Sequence, residues 1–340
     1  MRPVYGKDTA YDLLLPYVNW SFRRMFRNLQ FQGLENIPRD GAVIFSPNHV
    51  NTLLDALAVL SMMGNHPVVF AARADIFRKP AIARILNFLR IMPISRMRDG
   101  VDALAGNEKT FRDAVDSLNA GIPFCIFPEG RHSQEPGLLP LRKGIARIAM
   151  MAENELERPV YIVPVGLVYE DYVSFRTSLT VNVGEPMPVA GAMEEEVSEE
   201  APEENLHQRR ARRILQNLAE KMRGLIANPN RPKHARDSLL LRILRVPLVP
   251  FAALVLLPAF GIIKYLRKNM KDVAFLNSVR YGICYLINPL IILLIALILL
   301  ICGLLPWWGL LILLIFTPFA PEIWYGAIGD LKVLEGRAPR

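Results

Sequence analysis

The chain has 340 residues, enough for one large domain or two smaller ones. Its formal net charge is +8, and 52% of its residues are hydrophobic. That balance is too apolar for an ordinary soluble nucleic-acid binder and too basic for most cytosolic enzymes. It fits a surface of anionic lipid and argues against nucleic acid as a partner.

Met1 to Lys7 lead into no uninterrupted apolar run, so no signal peptide is expected. Residues 11–31 then set Leu13, Leu14, Leu15, Trp20, Phe22, Met25, Phe26 and Leu29 among Arg23, Arg24 and Arg27, largely at helical spacing. Residues 1–30 are therefore predicted to carry an amphipathic helix. Its preferred reading is interfacial, lying in the lipid headgroup layer; the other reading is a helix packed on the domain.

From residue 41 onward, short apolar runs alternate with helical patterns. Strands are predicted at 42–46, 68–72, 123–127, 160–168 and 179–183, and helices at 53–63, 81–89, 107–120 and 144–152. The alternation argues for an α/β fold with a largely buried sheet flanked by helices. Residues 193–204 hold seven glutamates and one proline, which makes an acidic surface loop or linker. Residues 206–226 read as a helix carrying Arg209, Arg210, Arg212, Arg213, Lys221 and Arg223, either a solvated face or a membrane-facing patch. Asn228-Pro229-Asn230-Arg231-Pro232 closes a catalytic domain placed at 31–230.

A membrane region is expected at 241–325. Spans are predicted at 281–302 and 304–321, the first containing the Leu, Ile and Ala run 290–301 and the second flanked by tryptophans. The earlier stretch, 246–263, contains three prolines and is basic on both sides. It is expected to be re-entrant or interfacial, since the positive-inside rule wants both flanks cytoplasmic. The expected localisation is integral to a membrane, with the catalytic domain on the cytoplasmic face of a bacterial inner membrane or of the endoplasmic reticulum. Cys125, Cys284 and Cys302 have no metal-ligand spacing, and no metal is called for.

The chemistry is carried by His49 and Asp55. A histidine backed by a carboxylate is the minimal general-base pair, since the carboxylate fixes the tautomer and stabilises the imidazolium. No serine or cysteine nucleophile motif stands beside it, which leaves a substrate hydroxyl as the nucleophile. Six residues of helix turn through about 600°, so the two cannot share a helical face. His49 must lie in the turn, with Asn51 or Thr52 capping the following helix.

Four blocks in order make the sequence resemble the phospholipid/glycerol acyltransferases, the PlsC-like family. They are Asn48-His49 with Asp55; Ile91-Met92-Pro93-Ile94-Ser95-Arg96; Phe127-Pro128-Glu129-Gly130-Arg131-His132-Ser133, whose Glu129 lies 80 residues after His49; and Ile162-Val163-Pro164-Val165-Gly166. Pro140-Leu141-Arg142-Lys143-Gly144 is similar to the segment that follows the third block. The resemblance covers roughly residues 30–190.

It implies a glycerol-phosphate acyltransferase-like domain with a buried mixed sheet, followed by a helical membrane region. It implies acyl transfer from a thioester, acyl-CoA or acyl carrier protein, as cosubstrate, with no bound cofactor. The expected acceptor is 1-acylglycerol-3-phosphate, giving phosphatidic acid. The alternative is glycerol-3-phosphate or dihydroxyacetone phosphate, and a minor alternative is a non-catalytic lipid-binding membrane protein. Arg96, Arg131 and Lys143 are the expected cations for the acceptor phosphate, and arginine suits it as a bidentate fork. Glu129 and Gly130 are expected to shape the acceptor pocket, with Asn48, Pro128, Ser133 and Pro164 in support.

Two departures stand out. Five residues separate His49 from Asp55 where the family usually has four, a spacing similar to the yeast branch that acts on glycerol-3-phosphate or dihydroxyacetone phosphate. The third block more often reads Glu-Gly-Thr-Arg-Ser. Here Arg131 and His132 leave the arginine's partner open, and His132 is either a turn residue or a ligand contact.

Overall fold

The structure is a computed structural model that describes residues 3–95, 101–135, 137–193, 203–227, 238–270 and 272–334. An N-terminal helix, α1 (Thr9–Met25), leads into β1 (Asn28–Gln32), β2 (Ala42–Pro47), α2 (Leu53–Met62), β3 (Val69–Arg73), α3 (Pro80–Phe88) and β4 (Ile91–Ile94). Then come α4 (Val101–Asn119), β5 (Phe124–Cys125), α5 (Gly144–Glu155), β6 (Val160–Tyr169), β7 (Ser178–Val183) and β8 (Met187–Pro188). The short α6 (Ala190–Met193) and the long α7 (Glu203–Ile226) close the α/β part.

Among the described residues, eight strands form one mixed sheet in the order β1-β7-β6-β2-β5-β3-β4, with β8 against β6. β6, β2, β5, β3 and β4 run parallel, whereas β7 is antiparallel to β6. Every residue of β2 is buried, as a strand covered on both faces requires. Its side chains alternate: Val43 and Phe45 pack with α1 and α2, while Ala42 and Ile44 pack with α4, α5 and α7. The predicted strand at 123–127 shortens to Phe124–Cys125, and the chain then leaves the ladder toward His49. β1 and β4 were not predicted; β4 lies inside the second motif block.

α7 lies close over β6. A Cβ added at Gly166 would sit 2.7 Å from Leu225 Cβ and 2.9 Å from its carbonyl carbon, so only glycine admits this approach. On the opposite face, α1 buries Tyr11, Leu15, Phe22 and Met25. Fully burying such a side chain is worth about 1.5–3 kcal/mol. Asp8 starts α1 by accepting the backbone N–H groups of Ala10 and Tyr11.

The C-terminal part comprises α8 (Leu239–Arg245), α9 (Val249–Lys268), α10 (Leu276–Tyr281), α11 (Asn288–Ile301), α12 (Trp307–Phe316) and α13 (Ala320–Leu334). Among the described residues, three continuous helical stretches are long and apolar enough to cross a membrane: Ile243–Lys268, Val273–Ile301 and Trp307–Ala327. The stretch expected to be re-entrant or interfacial, 246–263, lies within the first, and helix continues through Pro258. The second stretch passes through a π-helical segment, Gly282–Ile287, which joins α10 to α11.

These helices pack on the α1 and α2 face of the sheet. Ser21 Oγ and Tyr281 Oη hydrogen bond at 2.8 Å, and Tyr17 Oη donates to the Tyr285 carbonyl at 2.6 Å. Glu322, nearly buried, accepts from Arg24 Nη1 at 2.9 Å and Arg245 Nη2 at 2.8 Å, and lies 3.6 Å from Arg176 Nη2. A carboxylate here is tolerable because it is paired from three sides.

Candidate active site

The parallel strands β2 and β5 end at the same edge of the sheet, and there the first and third blocks meet. β2 ends at Pro47, and the chain turns through Asn48 to Thr52 before α2 begins. Asn48 is buried and closes this turn onto β6. Its Oδ1 accepts Leu167 N–H at 2.6 Å and its Nδ2 donates to the Leu167 carbonyl at 3.2 Å.

His49 Nδ1 lies 2.8 Å from Asp55 Oδ2. Asp55 is fully buried, while the His49 side chain keeps 19% exposure. The same Oδ2 accepts the backbone N–H groups of Val50 at 2.8 Å and Asn51 at 2.7 Å. Tyr169 Oη donates to Asp55 Oδ1 at 2.8 Å. With these donors, the carboxylate is fixed in place facing the imidazole. Burial, and secondarily the charge of Asp55, pushes the Tyr169 phenol well above its usual range, so it stays a proton donor to Asp55. The expected capping role falls differently from the sequence reading. Thr52 holds the N-cap position of α2, but its side chain makes no cap bond; Asp55 takes up the turn's amides from inside the helix.

Thr52 has φ 49°, an unusual conformation for a β-branched residue. Its Oγ1 hydrogen bonds Ser278 Oγ at 2.6 Å, on α10. The turn that carries His49 is thus tied to the helices of the apolar region.

The third block wraps the other side of the imidazole. Phe127 stacks on His49, ring centroids 4.2 Å apart. Glu129 is buried and holds His49 from behind: Oε1 accepts His49 N–H at 2.7 Å and Oε2 accepts Leu139 N–H at 2.8 Å. Burial raises its carboxyl above the usual range, and the two backbone donors pull it back. Both Glu129 oxygens are engaged by amides, so its carboxylate ties the His49 turn to the loop at Leu139. Gly130 takes φ 70°, and a Cβ there would meet Arg142 Cγ at 3.3 Å. Pro128 contributes its carbonyl to Arg142 N–H at 2.7 Å, and Ser133 N–H donates to the His49 carbonyl at 2.9 Å. Pro164 lies in β6 opposite Ser46, and its carbonyl accepts Gly184 N–H at 2.9 Å.

Arg96 lies outside the described residues. Arg131 is exposed on the loop beside His132. Lys143 is also exposed, immediately before α5, and lines a cavity against α7. His132, left open by the sequence, packs edge-on to His49 and pairs its Nε2 with Asp272 Oδ2 at 2.6 Å. That contact holds the Asp272 carboxyl below its usual range. Phe275 packs against His132 from the same segment.

Tyr169, Asp272, Phe275 and Ser278 all reach the site from at least 114 residues beyond Asp55 or His132, and sequence reasoning singled out none of them. Tyr169 shares strand parity with Val165 and Leu167, the one sequence signal that could have placed it on the His49 side of the sheet. Among the described residues, no group of three or more His, Cys, Asp or Glu could hold a metal. Burial pushes the Cys125 thiol far above its usual range, which removes it as a thiolate nucleophile.

A histidine fixed by a buried carboxylate is the arrangement that a general base takes. Residues 28–168 match the family model described as Acyltransferase.

Among curated relatives, the chain is 30% identical over 127 residues to a chloroplastic 1-acyl-sn-glycerol-3-phosphate acyltransferase of Brassica napus, covering 36% of this chain and 34% of that one. It is 36% identical over 86 residues to glycerol-3-phosphate O-acyltransferase 2 of Saccharomyces cerevisiae, covering 25% of this chain and 12% of that one. The matched stretches thus span about a third and about an eighth of these relatives. A crystal structure of the 1-acyl-sn-glycerophosphate acyltransferase PlsC from Thermotoga maritima aligns with TM-score 0.41 and 21% identity, over 63% of this chain and 83% of that one.

Proposed function

We propose that the protein is a membrane-bound O-acyltransferase that moves an acyl group from a thioester to the free hydroxyl of 1-acylglycerol-3-phosphate, forming phosphatidic acid. The observation that carries this reading is the 2.8 Å contact of His49 Nδ1 with the buried Asp55. It commits Nδ1 to the carboxylate and leaves Nε2 as the base.

The acceptor hydroxyl gives its proton to Nε2 as its oxygen attacks the thioester carbonyl. The tetrahedral intermediate collapses, the carbon–sulfur bond breaks, and the leaving thiolate takes the proton back from the imidazolium. General-base assistance of this kind is worth roughly 10² to 10⁴ in rate. Phe127 fixes the ring plane, and Glu129 holds the His49 backbone. Arg131, with Arg96, supplies charge for the acceptor phosphate. The apolar helices hold the domain at a bilayer, where the lipid acceptor and product reside, and basic flanks favour a cytoplasmic catalytic domain.

Glycerol-3-phosphate as acceptor is the second reading, favoured by the five residues between His49 and Asp55 and by similarity to the yeast relative named for that substrate.

The test is labelled acyl transfer by membranes containing the protein, with each acceptor offered separately and His49→Ala as control. Phosphatidic acid from the lyso-lipid, lost at least 10²-fold in His49→Ala, is the expected result. His49-dependent product from glycerol-3-phosphate alone selects the second reading. Product that persists in His49→Ala overturns both.

A further inference from the structure

Two cavities lie along α7, neither lined by His49 or Asp55. One, of about 420 Å³, runs between α7 and the segment leading into α5. Leu141 and Leu215 supply apolar wall, and Lys143, Arg212 and Arg223 supply charge against a single carboxylate, Glu220. Among the described residues, none of these three cations forms an ion pair. Most exposed cations are simply solvated, but here two arginines and a lysine line one half-open groove and outnumber the acid.

The groove is joined at one end to the catalytic edge of the sheet. Lys143 follows Arg142, whose side chain packs on Gly130 and whose N–H bonds the Pro128 carbonyl at 2.7 Å. Glu129, between those two residues, holds the His49 backbone. From the other wall, Met222 accepts the Ser46 hydroxyl at 3.7 Å, three residues before His49. Arg223 therefore stands at the catalytic end. Arg212 stands eleven residues earlier on α7, about 16 Å away along the helix.

The groove also lies on the face of the sheet opposite the apolar helices: α7 packs with Ala42 and Ile44, the apolar helices with Val43 and Phe45. A lipid acceptor arrives from the apolar side. A ligand in the groove comes from water, carries several negative charges, and is long enough to reach the edge. Confinement between a loop and a helix suits a chain-like small molecule better than a protein surface. Resting on the acyl-transfer reading, we infer that this groove binds the phosphate-bearing head of a coenzyme-A-type thioester donor, with Lys143, Arg212 and Arg223 meeting its phosphates and the acyl end directed to His49. Lys143 is thereby moved from the acceptor site to the donor site.

The experiment compares the wild-type chain with Arg212→Gln, Arg223→Gln and the double variant, all full-length in detergent. Free coenzyme A is titrated calorimetrically, and steady-state kinetics are run with acyl-CoA and with acyl carrier protein. Both arginines are exposed, so the substitutions are expected to spare the fold. The expected result is a rise of about 10-fold or more in the coenzyme A Kd and the acyl-CoA KM of the double variant. Acceptor KM is expected to stay unchanged, and added salt to weaken wild-type binding more than the variant's.

Unchanged Kd and KM overturn the inference, as does absence of coenzyme A binding by the wild type. A defect confined to the carrier-linked donor also overturns it and points to a protein docking there. Absence of His49-dependent product from the wild type overturns the acyl-transfer reading instead, and the calorimetric arm still reports on the groove.

Discussion

Tyr169→Phe isolates one hydrogen bond of the site. Asp55 accepts from His49, Val50, Asn51 and Tyr169, each within 2.8 Å. The substitution deletes only the phenolic donor to Oδ1 and leaves the ring in place between Phe26 and Tyr172. A hydrogen bond to a charged group is worth about 1.5–3 kcal/mol. If half of that is expressed in holding the His49–Asp55 pair during proton transfer, kcat falls about 3- to 10-fold, since about 1.4 kcal/mol is tenfold. The remainder appears as lower stability. Labelled acyl transfer gives kcat and acceptor KM, and chemical denaturation gives stability. KM for the acceptor is expected to hold steady, because Tyr169 acts through Asp55. In an Asp55→Asn background the same change should add little to the kinetic loss, since the residues act as a unit. Lower stability with full kcat, or losses that simply multiply in the double variant, would refute a positioning role.

Two further perturbations probe the loops that hold the pair. Burial raises the Glu129 carboxyl above its ordinary value of 4.5, so the stability it contributes is full below that value and is lost as pH rises through the higher folded one. Glu129→Gln removes that slope and costs about 1–3 kcal/mol, because an amide nitrogen cannot accept one of the two backbone donors. Thermal melts compared across this range are expected to converge as pH rises, and parallel curves would contradict the assignment. Ser278→Ala removes the 2.6 Å bond to Thr52 and is expected to cost about 1 kcal/mol, to lower kcat a few-fold and to speed amide exchange in residues 50–54. Unchanged exchange there would show that α10 does not hold the turn.

The parts legible in the sequence are those fixed by local pattern. β2, β3, β6 and β7 lie within a residue of their expected limits, because runs such as Val160–Tyr169 are apolar on both faces and bounded by turns. The His49–Asp55 contact was legible from spacing and the expected strand–turn–helix order. β5 was read too long, since Ile126 and Phe127 are as strand-like as Phe124; what ends the ladder is the departure of Phe127 to stack on His49. β1 was hidden because Asn28–Gln32 carries polar residues at alternate positions beside a helix of similar composition. The partners of the site were hidden for a different reason. Tyr169 follows Asp55 by 114 residues, and Ser278 follows Thr52 by 226. Such contacts are set by sheet order and by helix docking, which a single sequence does not display.

The docking of the apolar helices bears directly on the turn that carries His49. A span that only anchored the domain would need no polar contact with the catalytic turn. Here Thr52, at φ 49°, is bonded to Ser278. Asn277 Nδ2 donates to the Tyr172 carbonyl at 2.8 Å, in the loop that also accepts Asn51 Nδ2 at 3.4 Å, and Asp272 holds His132 beside His49. A strained residue persists only where its surroundings over-determine it. For Thr52 those surroundings include both the strand–turn–helix unit of the sheet and the start of the stretch Val273–Ile301. The geometry of the His49–Asp55 pair is therefore a joint product of the α/β domain and the apolar helices. His49 sits where the two meet, at the edge of the sheet where β2 and β5 end.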